Sequence, residues 1–203
     1  MAATRKAIDQ GTASCPQRWV LLSGGDSDES LESAWRAGDE AAFSELFRRH
    51  YSGAVAYAER YLSDLAAAED VVQQAFLNVL QRRAGQGRFK SLVYTVTRNL
   101  ALNELRRRGR RYVARGGVED LDPASGGSVP LTDLIAGEEQ RCFAAALREL
   151  PESEREAFCL KETRGLTYQE AGDVMGLHPD AVRRRVKKAF GLIRQFLSRE
   201  KQL

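Results

Sequence analysis

The stretch GLTYQEAGDVMGLHPDAVRRRVKKAF, Gly165 to Phe190, decides how this chain is read. It is apolar and acidic at first, then strongly basic, with a glycine between two helical patterns. Thr167 followed three residues later by Glu170 has the spacing of a capping box and predicts a helix start. Gly176 stands at a tight turn, where a positive φ costs glycine least. Met175, Leu177 and Val182 are spaced to pack the two helices together. Pro179 falls in the first turn of the second helix, where its missing N–H costs nothing. His178 takes the N-cap position in place of the better Ser, Thr or Asp. The second helix then exposes Asp180, Arg183, Arg184 and Lys187. This is the pattern of a helix-turn-helix. Its second helix presents N-terminal residues to base edges in the major groove, and nearby basic side chains hold phosphates.

Charge is segregated along the rest of the chain, so the net +3 conceals the pattern. Arg82 to Arg115 holds eleven Lys/Arg against one acid, Glu104, and Arg183 to Lys201 holds eight bases against Glu200. Gly116 to Gln140 holds six acids and no base, and Asp39 to Gln81 holds seven acids and three bases. Blocks of alternating sign imply several distinct partner surfaces. The two basic blocks are candidates for phosphate contact. Other chemistry finds little support. The three cysteines, Cys15, Cys142 and Cys159, include no CxxC pair, so neither a disulfide framework nor a zinc ribbon is indicated. Cys159 reads as a small buried hydrophobe. His50 and His178 lack metal-ligand partners at useful spacing. No nucleophile elbow, Walker loop or HExxH is present, so no enzyme, cofactor or small-molecule substrate is expected. No apolar run is long enough to span a bilayer and Trp19–Leu22 is too short for a signal peptide, which predicts a cytoplasmic protein without membrane insertion.

Hydrophobic periodicity predicts helices only. Residues 1–28 mix Gly, Ser and Asp without a period and read as a flexible tail. From Ser30, Leu31, Trp35, Phe43, Leu46, Phe47, Tyr51, Val55 and Ala58 recur at spacings of three and four, with a break near Gly38 and a cap at Asp39. A helix follows over about Leu65–Arg82, with Val71, Val72, Ala75, Phe76, Val79 and Leu80 as its stripe. Gly85 and Gly87 mark a loop. Another helix carries Phe89, Val93, Val96, Leu100 and Leu105 and ends near Gly109. Residues 113–136, rich in Gly, Pro, Ser and Asp, read as an acidic flexible linker. Helical patterns resume near Gly137. The expected fold is all-α, with two helical domains at 29–112 and 137–203.

The last block, LRELPESEREAFCLKETRGLTYQEAGDVMGLHPDAVRRRVKKAFGLIRQFL, resembles region 4 of the extracytoplasmic-function (ECF) sigma factors of bacterial RNA polymerase. DEAAFSELFRRHYSGAVAYAERYLSDLAAAEDVVQQAFLNVLQRR and FKSLVYTVTRNLALNELRRRGRR resemble their region 2. The resemblance covers about 160 residues and both motifs stand in the family order. It implies a factor that binds core RNA polymerase and promoter DNA, catalyses nothing, and is held by an anti-sigma partner. It implies that AEDVVQQAF docks on the clamp coiled coil of the polymerase through Asp70, Gln73 and Gln74. It implies that VYTVTRNLALNELRRR opens and reads the −10 element through Arg98, Asn99 and Asn103, with Arg106, Arg107 and Arg108 on phosphates. Melting needs a base to leave the stack while basic residues hold the displaced backbone. Region 4 would read the −35 element through Pro179, Asp180, Arg183, Arg184 and Lys187. The acidic linker would thread basic channels of the polymerase as a polyanion mimic, or serve as a soluble spacer.

The chain departs from the family pattern at several places. Leu92 stands where a tryptophan is usual. The loop RRAGQGRF is short and carries no aromatic before Phe89. Gln74 replaces a common glutamate. Ala171 and Gly172 replace a larger pair, and a glycine inside a helix costs about 1 kcal/mol relative to alanine. Two other functions fit parts of the sequence: a helix-turn-helix regulator that acts without polymerase, and an interaction protein that sequesters polymerase or another factor.

Overall fold

The computed structural model describes residues 26–82, 88–114 and 138–200, and every regular element among them is helical. Residues 1–25, the loop at Gly85 and Gly87, Cys15 and most of the expected linker lie outside the described residues. The chain divides into two compact units, Met1–Arg49 and His50–Leu203.

In the first unit, α1 (Asp28–Arg36) starts where Ser27 Oγ accepts a hydrogen bond from the Ser30 N–H at 3.2 Å. Asp28 and Glu29 add negative charge to the first turn, where the helix dipole favours it. Leu31 and Trp35 are fully buried, and the Trp35 ring lies 6.0 Å from that of Phe43. Gly38 adopts φ 107°, ending α1. Asp39 caps α2 (Glu40–Leu62), as its spacing predicts: Oδ1 accepts from the N–H groups of Ala41 and Ala42 at 3.0 and 3.4 Å. Glu45 accepts from both Arg48 and Arg49, and these bonds hold its carboxyl down at about 2.

In the second unit, Asp64 caps α3 (Leu65–Gln81) by accepting from the Ala67 N–H at 3.3 Å. Of the predicted stripe on α3, Val72, Ala75, Phe76 and Val79 are buried, together with Ala68, while Val71 and Leu80 are half-buried. α4 (Phe89–Ala114) packs along α3, with Phe76 and Phe89 rings 6.1 Å apart. The sequence places its end near Gly109, but the helix continues to Ala114. One interior glycine costs about 1 kcal/mol, which the flanking arginines, good helix formers, offset in part. Arg108 also anchors this turn, donating to the Leu62 carbonyl at 3.3 Å and the Asp64 carboxylate at 3.1 Å.

The C-terminal block comprises α5 (Glu138–Arg148), α6 (Glu152–Phe158), α7 (Tyr168–Met175) and α8 (Pro179–Glu200). α6 widens into a π-helical turn at Cys159–Thr163, closed by the Arg164 N–H donating to the Cys159 carbonyl five residues back. One apolar cluster, Ala146, Leu150, Phe158, Ala189 and Ile193, binds α5, α6 and α8. A second cluster joins residues far apart in sequence. Tyr57, Tyr61, Leu62, Tyr94 and Ala101 meet Ala157, Leu160, Leu166, Val174, Met175 and Val182. α4 is therefore buried on two faces. Phe89 and Val93 lie on its predicted face, whereas Tyr94 and Ala101 join the second cluster.

Candidate nucleic-acid interface

The Gly165–Phe190 stretch folds as its spacing predicts. Thr167 Oγ1 accepts from the Glu170 N–H at 3.2 Å, and the Glu170 carboxylate accepts from the Thr167 N–H at 2.7 Å. This is a complete capping box. Gly176 closes α7 at φ 67°, in the left-handed region. Leu177 N–H then donates to the Gly172 carbonyl at 2.8 Å. Pro179 is the first residue of α8, and His178 acts as its cap: Nδ1 accepts from the Asp180 N–H at 3.4 Å, a long bond.

From this turn α8 presents Asp180, Arg183, Arg184 and Lys187 as exposed side chains, while Val182, Val186 and Ala189 are buried. Pro179 is half-buried beside them. Arg183 is the most constrained of the set. Its guanidinium lies 5.2 Å from the Tyr168 ring centroid and 3.7 Å from an Asp180 oxygen. Lys161 shares the same ring at 5.3 Å. Tyr168 thus positions a cation of α8. Sequence reasoning missed it, because at the first position of α7 an aromatic reads only as partial burial.

The second candidate set lies on α4. Asn99, Asn103, Arg106 and Arg107 are exposed on it. Arg106 donates to Asn103 at 3.3 Å, and Arg107 forms a two-pronged pair with Glu104 at 2.6 and 2.8 Å. Arg108 is turned back onto Glu104, Asp64 and the Leu62 carbonyl. Glu104, the lone acid of the basic block, therefore engages two of the three predicted phosphate-binding arginines.

Asp70, Gln73 and Gln74 are exposed on α3, with Gln74 donating to Asn78 at 2.9 Å. Asp70 and Gln74 line an open groove between α3 and α4 together with Asn103 and Arg107. The structure thus brings members of two separately predicted sets to one groove.

Arg98 stands apart from its set. Its Nε donates at 2.8 Å to Glu156 on α6, and the same carboxylate oxygen accepts from the hydroxyls of Tyr57 at 2.7 Å and Tyr61 at 2.5 Å. Burial pushes the Glu156 carboxyl upward. The bonds from Arg98 and Tyr61 outweigh it and hold the group below the usual carboxylate range. Burial pushes both tyrosine hydroxyls up, so they remain protonated donors. One turn earlier, Glu152 accepts from Arg60 at 2.6 Å. The sequence gives no sign of this cluster, since its partners lie 58 to 99 residues apart.

Among the described residues no His, Cys, Asp and Glu grouping could hold a metal ion, and no helix is long and apolar enough to cross a membrane.

Known proteins place these elements in a family. Residues 46–111 match the model of Sigma-70 region 2, and residues 140–191 match that of Sigma-70, region 4. The sigma factor CarQ of Myxococcus xanthus is 29% identical over 166 residues, covering 80% of this chain and 93% of CarQ. The ECF sigma-E factor of Escherichia coli K12 is 28% identical over 80% of this chain and 90% of its own. Among solved structures, the sigma factor RpoE of Bartonella quintana, in complex with the anti-sigma factor NepR, is 25% identical. It superposes with a TM-score of 0.57 over 77% of this chain and 96% of RpoE. With regions 2 and 4 in family order and relatives matched over most of both chains, this protein belongs to the sigma-70 family, as an ECF-type sigma factor that directs RNA polymerase to promoters.

Proposed function

We propose that the exposed face of α8 reads the −35 element through Pro179, Asp180, Arg183, Arg184 and Lys187. The observation that supports this most is the turn itself. The capping box and the left-handed Gly176 fix the turn into a basic helix whose first turns bury Val182 and expose Asp180, Arg183 and Arg184. An N-terminus so presented suits major-groove entry, where an arginine fork matches guanine O6 and N7.

In the same reading, α4 opens and reads the −10 element. Arg98, Asn99 and Asn103 contact the extruded bases, and Arg106, Arg107 and Arg108 hold the displaced backbone. Asp70, Gln73 and Gln74 dock on the basic coiled coil of the polymerase clamp. Residues 29–112 and 137–203 act as the two DNA-reading domains, joined by the acidic segment 113–136. The chain catalyses no reaction; the polymerase does the chemistry. An anti-sigma partner, such as that seen with the Bartonella relative, holds this chain inactive.

The test is transcription from a genomic DNA library by core RNA polymerase, with and without this protein, mapping the 5′ ends. New starts sharing two upstream motifs at fixed spacing are expected. Sequence-specific duplex binding without polymerase, and no new starts, would instead establish a free-standing regulator.

A further inference from the structure

The cap of α8 is a feature that the proposed reading leaves unused. His178 stands where Ser, Thr or Asp would cap better, and the bond from the Asp180 N–H to its Nδ1 is long at 3.4 Å. Burial does not hold the ring there either, since the side chain is 77% exposed beside the Gly176 turn. Both contacts of the ring, with the Asp180 N–H and with an Asp180 carboxylate oxygen at 3.5 Å, are made by Nδ1. That carboxylate also lies 3.7 Å from Arg183. A neutral imidazole whose Nδ1 accepts carries its proton on Nε2. The capping bond therefore fixes the tautomer and leaves Nε2–H as an outward donor.

The backbone offers no substitute for that donor. Helix N-termini hold phosphates through N–H groups that have no partner within the helix. At α8 these groups are taken. Pro179 has none, the Asp180 N–H bonds Nδ1, and the Ala181 and Val182 N–H groups bond the His178 carbonyl at 2.9 and 3.3 Å. Ahead of Arg183, among the described residues, the imidazole Nε2–H is the donor left to meet an anion at the tip of the helix.

We propose that His178 is a phosphate contact of the −35 interface, its Nε2–H donating to a backbone oxygen at the edge of the major groove. A bond there fixes the depth and register at which Asp180, Arg183 and Arg184 meet the bases, as phosphate contacts do. This rests on the −35 reading above. The weak cap is then explained: the residue serves the DNA at some expense to the helix.

The experiment compares the full-length wild type with His178→Ser and His178→Gln. Serine caps well, but its hydroxyl, held against the backbone, falls short of the place of Nε2. Glutamine is not among the good caps, and its amide nitrogen reaches as far as Nε2. Thermal melts of each chain read the cap. Retardation of promoter fragments by the holoenzyme reads the contact. His178→Ser should raise the melting temperature by about 1–3 °C and lower promoter affinity about three- to ten-fold. The loss should be the same on fragments with single base changes in the −35 element. His178→Gln should recover most of the affinity without the gain in melting temperature. Unchanged affinity in His178→Ser, or affinity that follows the melting temperature in both variants, would leave His178 a cap only and overturn the contact. A loss confined to one base position would overturn the phosphate assignment. If the wild type forms no promoter complex with core polymerase, the sigma reading fails. Retardation of random-sequence duplex by the free chain then decides the contact, and equal binding by wild type and His178→Ser overturns it.

Discussion

A methyl group built on Gly172 would sit 2.6 Å from the carbonyl oxygen of Leu177. That oxygen belongs to the backbone of the helix-turn-helix turn, so it cannot swing aside as a side chain would. The glycine that costs helix propensity in α7 is therefore what lets the turn close. Gly172→Ala is expected to destabilise the protein by about 1–3 kcal/mol, the range for overpacking, despite the better propensity of alanine. Gly191 in α8 is the contrast, since nothing lies within 4 Å of its added Cβ. Gly191→Ala should stabilise by about 0.5–1 kcal/mol. Urea denaturation of both variants checks the pair; equal signs would contradict the packing argument.

Arg183 and Arg184 project from the first turns of α8. Replacing both with alanine should weaken holoenzyme binding to the cognate promoter. The log–log salt slope should fall by about 1 for each phosphate that an arginine no longer neutralises. Filter binding across a salt series measures both quantities. An unchanged affinity and slope would remove α8 from the interface.

In the proposed −35 reading, Tyr168 acts on DNA through Arg183, whose guanidinium lies 5.2 Å from its ring centroid. Tyr168→Phe keeps the ring and should leave promoter affinity near wild type. Tyr168→Leu keeps burial but removes the cation–π interaction, worth about 0.5–1 kcal/mol, and should weaken binding about two- to five-fold. A weakening in the leucine variant alone identifies positioning. Equal weakening in both would point instead to the hydroxyl.

Acid should destabilise the fold. Arg48 and Arg49 hold Glu45 at about 2, from an ordinary 4.5. Burial raises Glu156 and Glu154, but Arg98 and Lys188, respectively, lead the hydrogen bonds that bring both below the ordinary value. Each group has a lower pKa folded than unfolded, so the unfolded chain binds more protons on acidification. The stabilisation is complete above about pH 4.5 and is lost as pH falls toward the folded values. Thermal melts should be flat from about pH 8 to pH 5.5 and fall steeply below about pH 4.5. Glu156→Gln should lower the melting temperature at neutral pH and flatten the acid slope. A variant as acid-sensitive as wild type would mean that Glu156 is not held ionised.

Much of this was legible in the sequence because the signals were local. The Thr167–Glu170 box, the Gly176 turn and the Asp39 cap each lie within four residues, and each formed as read. The α3 stripe was legible because one apolar period serves one buried face. α4 resisted the same reading, because it buries two faces and the second is built from Tyr94 and Ala101 among polar neighbours. The Glu156 cluster was out of reach for another reason. Tyr57, Tyr61, Arg98 and Glu156 are individually ordinary, and only tertiary packing brings them together. The same holds for Gly172, which by propensity alone reads as a weakness.

The π-helical turn at Cys159–Thr163 sets the phase of everything that follows it. Its wider bonding accommodates one residue more than an α-turn. Glu152 and Glu156 precede it and face Arg60 and Arg98, while Leu160 and Arg164, at the same four-residue step, still face the second cluster and the backbone at Gly53. Deleting one residue from the α-helical turns ahead of it, Glu152–Phe158, would instead rotate the two sides of the helix against each other by about 100°. Chain length between Pro151 and Gly165 is thus a gauge. Side chains in this segment tolerate exchange according to what they touch, but their number does not, and an insertion or deletion should be more damaging than any single substitution within it.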